Sequence, residues 1–342
     1  MIYKNMKFKN FIGIDVSKLT LDLCVMVNNQ KIMVCKIENN PKGLTSFWKE
    51  LMKNCIDFKV SESVFCMEHT GIYNQHLLTF LQQKNANICL ENPVQIKFSN
   101  GMQRGKSDQI DCERIAMYAS KENENLKLWE PPRDVVKMLK NLTVLRTRLI
   151  MAKKTLTVPA NEIKLFDKET SKTISSCCEA SIKRLDLDLQ KVESKINEII
   201  KNDATLKRLF AITTSINGVG PITAVELIIC TNEFKTITKA KKFACYAGIV
   251  PFEYVSGTSI KSRAKVSHRA NKRMKMLLHM GALTAINCNQ DLKNYYARKV
   301  EEGKNKMLVL NSIRNKIVQR VFACVRDNKL YEKNYKINLF ES

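Results

Sequence analysis

The chain lacks a clustered metal-thiolate site, a membrane span and a secretory leader. Its twelve cysteines and four histidines are scattered over 342 residues. No C-x-x-C occurs, and His69, His76, His268 and His279 stand apart from the thiols, whereas a zinc site needs grouped ligands. Cys177-Cys178 is a vicinal pair; the other cysteines sit singly, mostly inside apolar runs. That pattern reads as reduced, largely buried thiols in a cytoplasmic protein, not a disulfide framework. No apolar run reaches the roughly 18 residues that a spanning helix needs. Residues 1–10 hold no hydrophobic leader core, and the next apolar stretch carries Asp15. No tandem repeat or low-complexity tract stands out. Acids are scarce as well: 33 Asp+Glu face 57 Lys+Arg, a net charge of +24. Part of the lysine excess follows the Lys-, Asn- and Ile-rich usage expected of an AT-rich genome. The remainder favours a polyanionic partner, of which nucleic acid is the commonest.

The few acids are therefore informative where they fall. Asp15 ends the apolar run Phe11-Ile12-Gly13-Ile14, and Glu68 ends Val64-Phe65-Cys66-Met67, so each carboxylate is expected where a buried strand emerges. Asp108 and Asp111 lie three apart at the start of a helical pattern and share one helix face. Four carboxylates brought together repel unless divalent cations neutralise them. Mg²⁺ on carboxylate oxygen is an arrangement suited to phosphoryl transfer, which points to an enzyme that cuts or joins nucleic acid. An acid on the first strand alone also fits an actin-like ATPase or sugar kinase. Those folds need a second glycine-rich phosphate loop and an adenosine pocket, and neither pattern is found here.

The hydrophobic patterning divides the chain into three expected segments. Residues 1–128 alternate strand and helix patterns: a long β-rich run over Phe11–Val27 turned by Asn28-Asn29-Gln30 into Lys31–Ile37, then a helix near Leu44–Lys53. A strand at Ser63–Glu68, a helix near Asn74–Gln83, a short strand at Asn87–Leu90 and a helix over Asp108–Lys121 follow. A hairpin followed by βαβ units with acids at strand ends is the ribonuclease-H-like, or RuvC-like, α/β pattern. Residues 129–204, opened by Trp129-Glu130-Pro131-Pro132, carry two helical stripes. Val135, Leu139, Leu142, Leu145 and Leu149 form the first, expected to end before Pro159. Ile182, Leu185, Leu189, Val192, Ile196 and Ile199 form the second, with heptad steps. Two long helices with a polar tip at Asp167–Ser176 predict an antiparallel coiled-coil arm, a dimer coiled coil, or a plain helical linker. Residues 205–342 read as mostly helical. They open with Ile216-Asn217-Gly218-Val219-Gly220-Pro221-Ile222-Thr223-Ala224. This turn is either helix-hairpin-helix-like, with Gly218 and Gly220 letting backbone N–H groups approach a phosphate, or a simple turn between packed helices.

Further motifs stand around these features. Asp15 lies in Gly13-Ile14-Asp15-Val16-Ser17-Lys18, Glu68 in Glu68-His69-Thr70-Gly71-Ile72-Tyr73, and the last acids in Lys106-Ser107-Asp108-Gln109-Ile110-Asp111. Downstream come Tyr246-Ala247-Gly248-Ile249-Val250-Pro251, then Ser256-Gly257. A basic stretch follows, with Lys261, Arg263, Lys265, Arg269, Lys272, Arg273 and Lys275. In this order the motifs resemble the IS-one-ten family of DEDD transposases, relatives of Piv-type DNA invertases, over nearly the whole chain. The family usually has glycine before the asparagine of the basic stretch; here Ala270 precedes Asn271.

The resemblance implies a Mg²⁺-binding tetrad of Asp15, Glu68, Asp108 and Asp111. It implies nucleic-acid contacts from Lys106, Gly218, Gly220, Lys261, Arg263, Lys265, Arg269, Lys272 and Arg273. A structured non-coding guide RNA pairing with donor and target DNA is also implied, as is a homodimer assembling to a homotetramer at the bacterial nucleoid. It further implies a serine nucleophile, for which Ser256 is the matching position. Spacing alone does not choose Ser256 over Ser259, Ser262 or Ser267. A predicted turn flanked by cations could hold a scissile phosphate at Ser256, and no adjacent histidine supplies a base, which fits activation by the metal cluster. The expected enzyme is a transposase or recombinase. The alternative is a RuvC-like nuclease that hydrolyses DNA with the acids alone.

Overall fold

In the computed structural model, residues 8–28, 30–55, 57–99, 108–256, 260–266 and 270–332 are described. The chain divides into two compact units, Met1–Pro131 and Pro132–Ser342.

The first unit is built on a five-stranded mixed sheet. Its strands are β1 (Asn10–Val16), β2 (Thr20–Val27), β3 (Gln30–Glu38), β4 (Ser63–Glu68) and β5 (Asn87–Glu91), in the order β3-β2-β1-β4-β5. Strand β1 is central, antiparallel to β2 and parallel to β4. Its alternate residues serve opposite faces. Ile12, Ile14 and Val16 pack on one side with Leu44, Phe47, Leu51, Leu77 and Leu81, from helices α1 (Pro41–Asn54) and α2 (Gln75–Gln83). On the other side Phe11 meets Ile115, Tyr118 and Ala119 of helix α4 (Asp108–Lys121). Burial on both faces explains why these strands read as continuous apolar runs. Helix α1 starts where Asn40 accepts a hydrogen bond from the Gly43 N–H at 2.8 Å, with Pro41 as its first residue.

Two expectations for this unit change. The long run Phe11–Val27 is two antiparallel strands, because Ser17-Lys18-Leu19 folds back with the Ser17 N–H on the Thr20 carbonyl at 3.0 Å. A short helix, α3 (Pro93–Ser99), was not anticipated. Asn92 starts it by accepting from the Val94 N–H at 3.0 Å.

The second unit begins with α5 (Asp134–Ile163) and α6 (Lys168–Asn202), an antiparallel pair of 30 and 35 residues. Arg146–Glu193 at 2.7 Å and Lys153–Asp186 at 2.6 Å cross-link them. Helix α5 does not end before Pro159 but runs through it. The turn that follows the proline is held from outside: Ser171 Oγ donates to the Ala160 carbonyl at 2.8 Å, both residues being buried. This bond helps hold the last turn of α5 in place beyond the proline, whose missing N–H and ring otherwise disfavour a continuing helix. The turn between the helices lies at residues 164–167, so the polar stretch Asp167–Ser176 caps and opens α6; Leu165 and Phe166 stand 82% and 91% exposed beside it.

At their base the two helices share one core with α7 (Ala204–Thr214), α8 (Pro221–Cys230), α9 (Ala240–Tyr246), α10 (Lys272–Cys288), α11 (Gln290–Glu301) and α12 (Lys306–Arg326). Val136, Leu139, Val192, Ile196 and Ile200 belong to that core together with Leu227, Phe243, Leu278 and Ile317. The expectation of a mostly helical segment missed a hairpin, β6 (Phe252–Ser256) with β7 (Ile260–Lys265). No helix among the described residues is long and apolar enough to cross a membrane.

Candidate functional site

Strand ends and α4 bring the acids of the first unit together. Asp15 is the last residue but one of β1, and Glu68 closes β4, the parallel neighbour of β1. Helix α4 lies so close to β1 that a methyl group on Gly13 would stand 2.2 Å from the Cys112 carbonyl oxygen and 2.3 Å from the Ala116 nitrogen. A glycine at that point seats the helix carrying Asp111 against the strand carrying Asp15. Burial, and then the charges of Asp15 and Asp111, raise the Glu68 carboxyl above its ordinary range. Glu68 therefore senses the charges of both other acids. Asp111 is held at 2.8 Å by Arg114, one turn along the helix. Of Asp108 only the backbone is described; it opens α4. Burial also pushes the nearby Cys112 thiol up to about 12, so it stays protonated and inert. Among the described residues, no group of three or more His, Cys, Asp or Glu side chains is arranged to hold a metal ion.

Several residues around these acids escaped the sequence reading. Asn39 donates from Nδ2 to the Ser17 carbonyl and to the Tyr73 carbonyl, both at 2.9 Å. It thereby ties the loop after Asp15 to the loop after Glu68. Asn74, 1% exposed, donates to the Glu68 carbonyl at 2.8 Å and accepts from the Thr70 N–H at 3.0 Å. Asp22 pairs in register with Asp15 across the β1–β2 ladder. It is 6% exposed, and its Oδ2 makes a loose ion pair with Lys36 Nζ at 3.4 Å. Glu91 is likewise in register with Glu68 and accepts from the Tyr118 hydroxyl at 3.1 Å. Asn39 acts through bonds to backbone 22 and 34 residues away, and Asn74 through bonds to backbone within six residues; neither leaves a readable motif. Asp22 had a readable signal, an acid inside the apolar alternation Leu21-Asp22-Leu23.

In the second unit, Ser256 is the last residue of β6, paired with Ile260 of β7. Gly257, Ser259, Ser267 and Arg269 lie outside the described residues, as does Lys106 in the first unit. Of Lys261, Ser262, Arg263 and Lys265 only the backbone is described, on β7. The root of the hairpin is anchored. Asn271 donates to the Tyr246 hydroxyl at 2.8 Å, its N–H bonds the Tyr246 carbonyl at 2.9 Å, and its Oδ1 caps α10 through the Met274 N–H at 2.9 Å. Asn311 Nδ2 donates to the Ile249 carbonyl at 2.5 Å. Gly248 has φ +66°, and a methyl there would stand 2.3 Å from Cβ of Ala270. The unusual alanine is thus packed on the one residue whose lack of a side chain admits it.

The remaining predicted cations and glycines are placed as follows. Lys272 is exposed at the start of α10. Arg273 donates from Nε to Glu226 at 2.8 Å and bonds Thr147, joining α10 to α8 and α5. Gly218 has φ +91°, and a methyl there would stand 2.4 Å from the Gly281 carbonyl oxygen, so this turn meets α10 backbone to backbone. Gly220 precedes α8 in an extended conformation, with nothing within 4 Å of its missing Cβ.

Two stretches of the chain match families of known proteins. Residues 12–158 match a transposase family model of the DEDD IS110 type, and residues 211–297 match the model described as "Transposase IS116/IS110/IS902 family". Among curated relatives, the pilin gene-inverting protein of Moraxella bovis is 24% identical over 333 residues, 95% of this chain and 98% of its own. The "Insertion element IS110 uncharacterized 43.6 kDa protein" of Streptomyces coelicolor is 28% identical over 141 residues, 41% of this chain and 34% of its own. The architecture and these matches define a DNA transposase or recombinase, an enzyme that cuts and rejoins DNA. Within that class, the chain belongs to the IS110/IS116/IS902 transposase family.

Proposed function

We propose that the enzyme moves an insertion sequence by RNA-guided cutting and rejoining of donor and target DNA, with the acids of the first unit and Ser256 of the second as its catalytic groups. The observation that carries this reading is the electrostatic coupling of Asp15, Glu68 and Asp111 at the ends of β1 and β4 and on α4. Asp15, Glu68 and Asp111 would supply hard oxygen donors of the kind Mg²⁺ takes, and Asp108, one turn before Asp111 on the same helix, would add a fourth. When bound, Mg²⁺ supplies Lewis-acid polarisation of the scissile phosphate and charge for the leaving oxygen. The hairpin followed by parallel units, with acids at strand ends, supports a ribonuclease-H-like or RuvC-like first domain.

The proposed chemistry uses this chain's own groups in order. Ser256 Oγ loses its proton and attacks phosphorus, the P–O3′ bond breaks, and a 5′-phosphoserine link forms with a free 3′-hydroxyl. Attack of a 3′-hydroxyl on that link reverses the step, so rejoining needs no nucleotide cofactor. The chain's basic residues hold phosphates without reading bases. Sequence choice falls to pairing with a structured non-coding RNA, as in other RNA-guided enzymes. Dimers assembling to tetramers at the nucleoid would hold both DNA partners.

The test is a trapped covalent adduct. Suicide DNA substrates with the protein and its RNA should yield a denaturant-resistant product that mass spectrometry maps to Ser256. Ser256→Ala should abolish it, and Asp15→Asn or Asp111→Asn should abolish cleavage while leaving RNA binding intact. Cleavage that survives Ser256→Ala without any adduct would establish the hydrolytic nuclease instead. An adduct at Ser259 or Ser262 would move the nucleophile.

A further inference from the structure

Helices α11 and α12 enclose a cleft of about 360 Å³ that none of the motifs above includes. Its walls carry three cations, Arg298, Lys316 and Arg320, with Tyr295 between them and a single acid, Asp291. The Lys316 ammonium lies 4.6 Å from the centre of the Tyr295 ring, and the Arg298 guanidinium 6.0 Å from the same ring. Arg320 stacks 5.0 Å from the ring of Tyr331. That ring is kept in place by the Tyr331 N–H on Ser215 Oγ at 2.8 Å. The cleft thus belongs wholly to the second unit.

Ordinary surface cations are neutralised by nearby carboxylates or dissolve into solvent. Here, among the described residues, these three cations make one ion pair, a loose one from Arg298 to Glu302 at 3.8 Å along its own helix. Among the described residues no acceptor reaches the buried Nη1 of Arg320. Aromatic faces hold exposed cations only weakly. A charge-assisted hydrogen bond to an oxyanion is the stronger interaction. An anion entering the cleft therefore outcompetes the rings, and the flat fork of Arg320 suits two phosphate oxygens.

We infer that this cleft binds phosphodiester groups of a nucleic acid, as a backbone contact separate from the Ser256 hairpin. The three cations outnumber the acids beside them, Asp291 in the wall and Glu302 on Arg298, and a chain of net charge +24 acting on DNA meets phosphates in its substrate. The partly buried tyrosines add stacking surface of the kind used for single strands. The inference rests on the reading of the protein as a nucleic-acid enzyme, and DNA and RNA are both possible sources of the phosphates.

The test compares salt dependence of binding for a labelled 30-nucleotide single-stranded RNA and a duplex DNA of the same sequence. Lys316→Gln/Arg320→Gln should keep its circular dichroism and melting temperature. It should weaken binding at 0.1 M salt about tenfold, and flatten the log K against log salt slope by about 1.4 for RNA or about 1.8 for duplex, two contacts' worth. Lys316→Arg/Arg320→Lys should keep most of the slope. Lys168→Gln/Lys172→Gln at the far end of the helical pair removes equal charge and should change the slope much less. The strand type whose slope falls is the one bound. If the wild type binds with a steep slope and the cleft variant matches it, or both Gln pairs weaken binding equally, the inference is overturned. If the wild type shows no salt-dependent binding to either probe, the nucleic-acid reading itself fails. Should the double variant unfold, Arg298→Gln alone must flatten the slope by half as much.

Discussion

Gly13→Ala reaches the centre of the acid site without touching an acid. The glycine is not left-handed, so alanine suffers no backbone penalty there; the difficulty is space. Its new methyl would stand 2.2 Å from the Cys112 carbonyl oxygen and 2.3 Å from the Ala116 nitrogen, both main-chain atoms that cannot rotate away. Restoring an ordinary 3.4 Å contact requires α4 to withdraw by about 1.2 Å. Overpacking of this kind costs about 1–3 kcal/mol, more than the roughly 0.4–1 kcal/mol that alanine returns through the unfolded chain. For a unit of this size each kcal/mol moves the melting temperature by roughly 3–5 °C. The functional effect should be larger in proportion. Asp111 is the residue before Cys112 and travels with the helix, and a misplacement near 1 Å costs about 10²-fold in rate. Calorimetry of the full chain should show the lower transition, and a strand-cleavage assay in Mg²⁺ the loss of rate. The Glu68 carboxyl, followed by carbon NMR, should fall back toward its ordinary range as the Asp111 charge recedes. A melting temperature within 1 °C of wild type together with normal cleavage would refute the placement of α4 on Gly13.

Glu68 and Arg133 give two further tests. Because burial and the Asp15 and Asp111 charges raise the folded-state Glu68 carboxyl above its unfolded value of 4.5, its ionisation opposes folding: the penalty is absent below that value and present at neutral pH. In EDTA, Glu68→Gln should therefore melt above wild type at pH 8, with the gap closing below pH 4; saturating Mg²⁺ should stabilise wild type by about 2.7 kcal/mol at 100 Kd, and the variant less. Equal melting of the two proteins at pH 8 without metal would contradict the coupling. Arg133 pairs with Asp203 at 2.7 Å and with Glu233, whose side chain is 1% exposed. Burial alone would raise the Glu233 carboxyl, and Arg133 with Lys235 brings it below its ordinary range instead. Arg133→Ala should destabilise the second unit by about 2 kcal/mol, the cost of a buried acceptor losing its main donor, discounted for the 38% exposure of Arg133. A denaturant midpoint unchanged by this substitution would show that Lys235 suffices.

The sheet was legible because its strands are buried on both faces and end on acids: Ser63–Glu68 and the helix Asp108–Lys121 have the boundaries that the pattern implied. The reversal at Ser17-Lys18-Leu19 was not, since apolar residues continue on both sides and only pairing of Asp15 with Asp22 reveals the turn. The β6–β7 hairpin consists of two short strands of five and six residues, and Lys261, Arg263 and Lys265 interrupt the second, so no apolar run marks it. Pro159 misled for a different reason, a buried contact from Ser171 that no local window contains. The proximity of Asp15, Glu68 and Asp111 followed from strand ends and helix phase, whereas the asparagine clasps of Asn39 and Asn74 join residues through backbone carbonyls. Carbonyls have no side-chain signature, and such partners stay hidden until the loops are seen together.

The cross-links between α5 and α6 recur at intervals of seven, Arg146 to Lys153 on one helix and Glu193 to Asp186 on the other. Such a pair can change its reach only in matched steps. Adding one residue to either helix rotates everything beyond it by about 100°, which turns the ionic rungs away from each other and the apolar seam into solvent. Adding seven to both preserves rungs and seam and lengthens the projection by about 10 Å. Evolution can therefore adjust this projection as a ruler graduated in heptads, with its origin fixed where Val136, Leu139, Val192 and Ile196 are sunk in the common core.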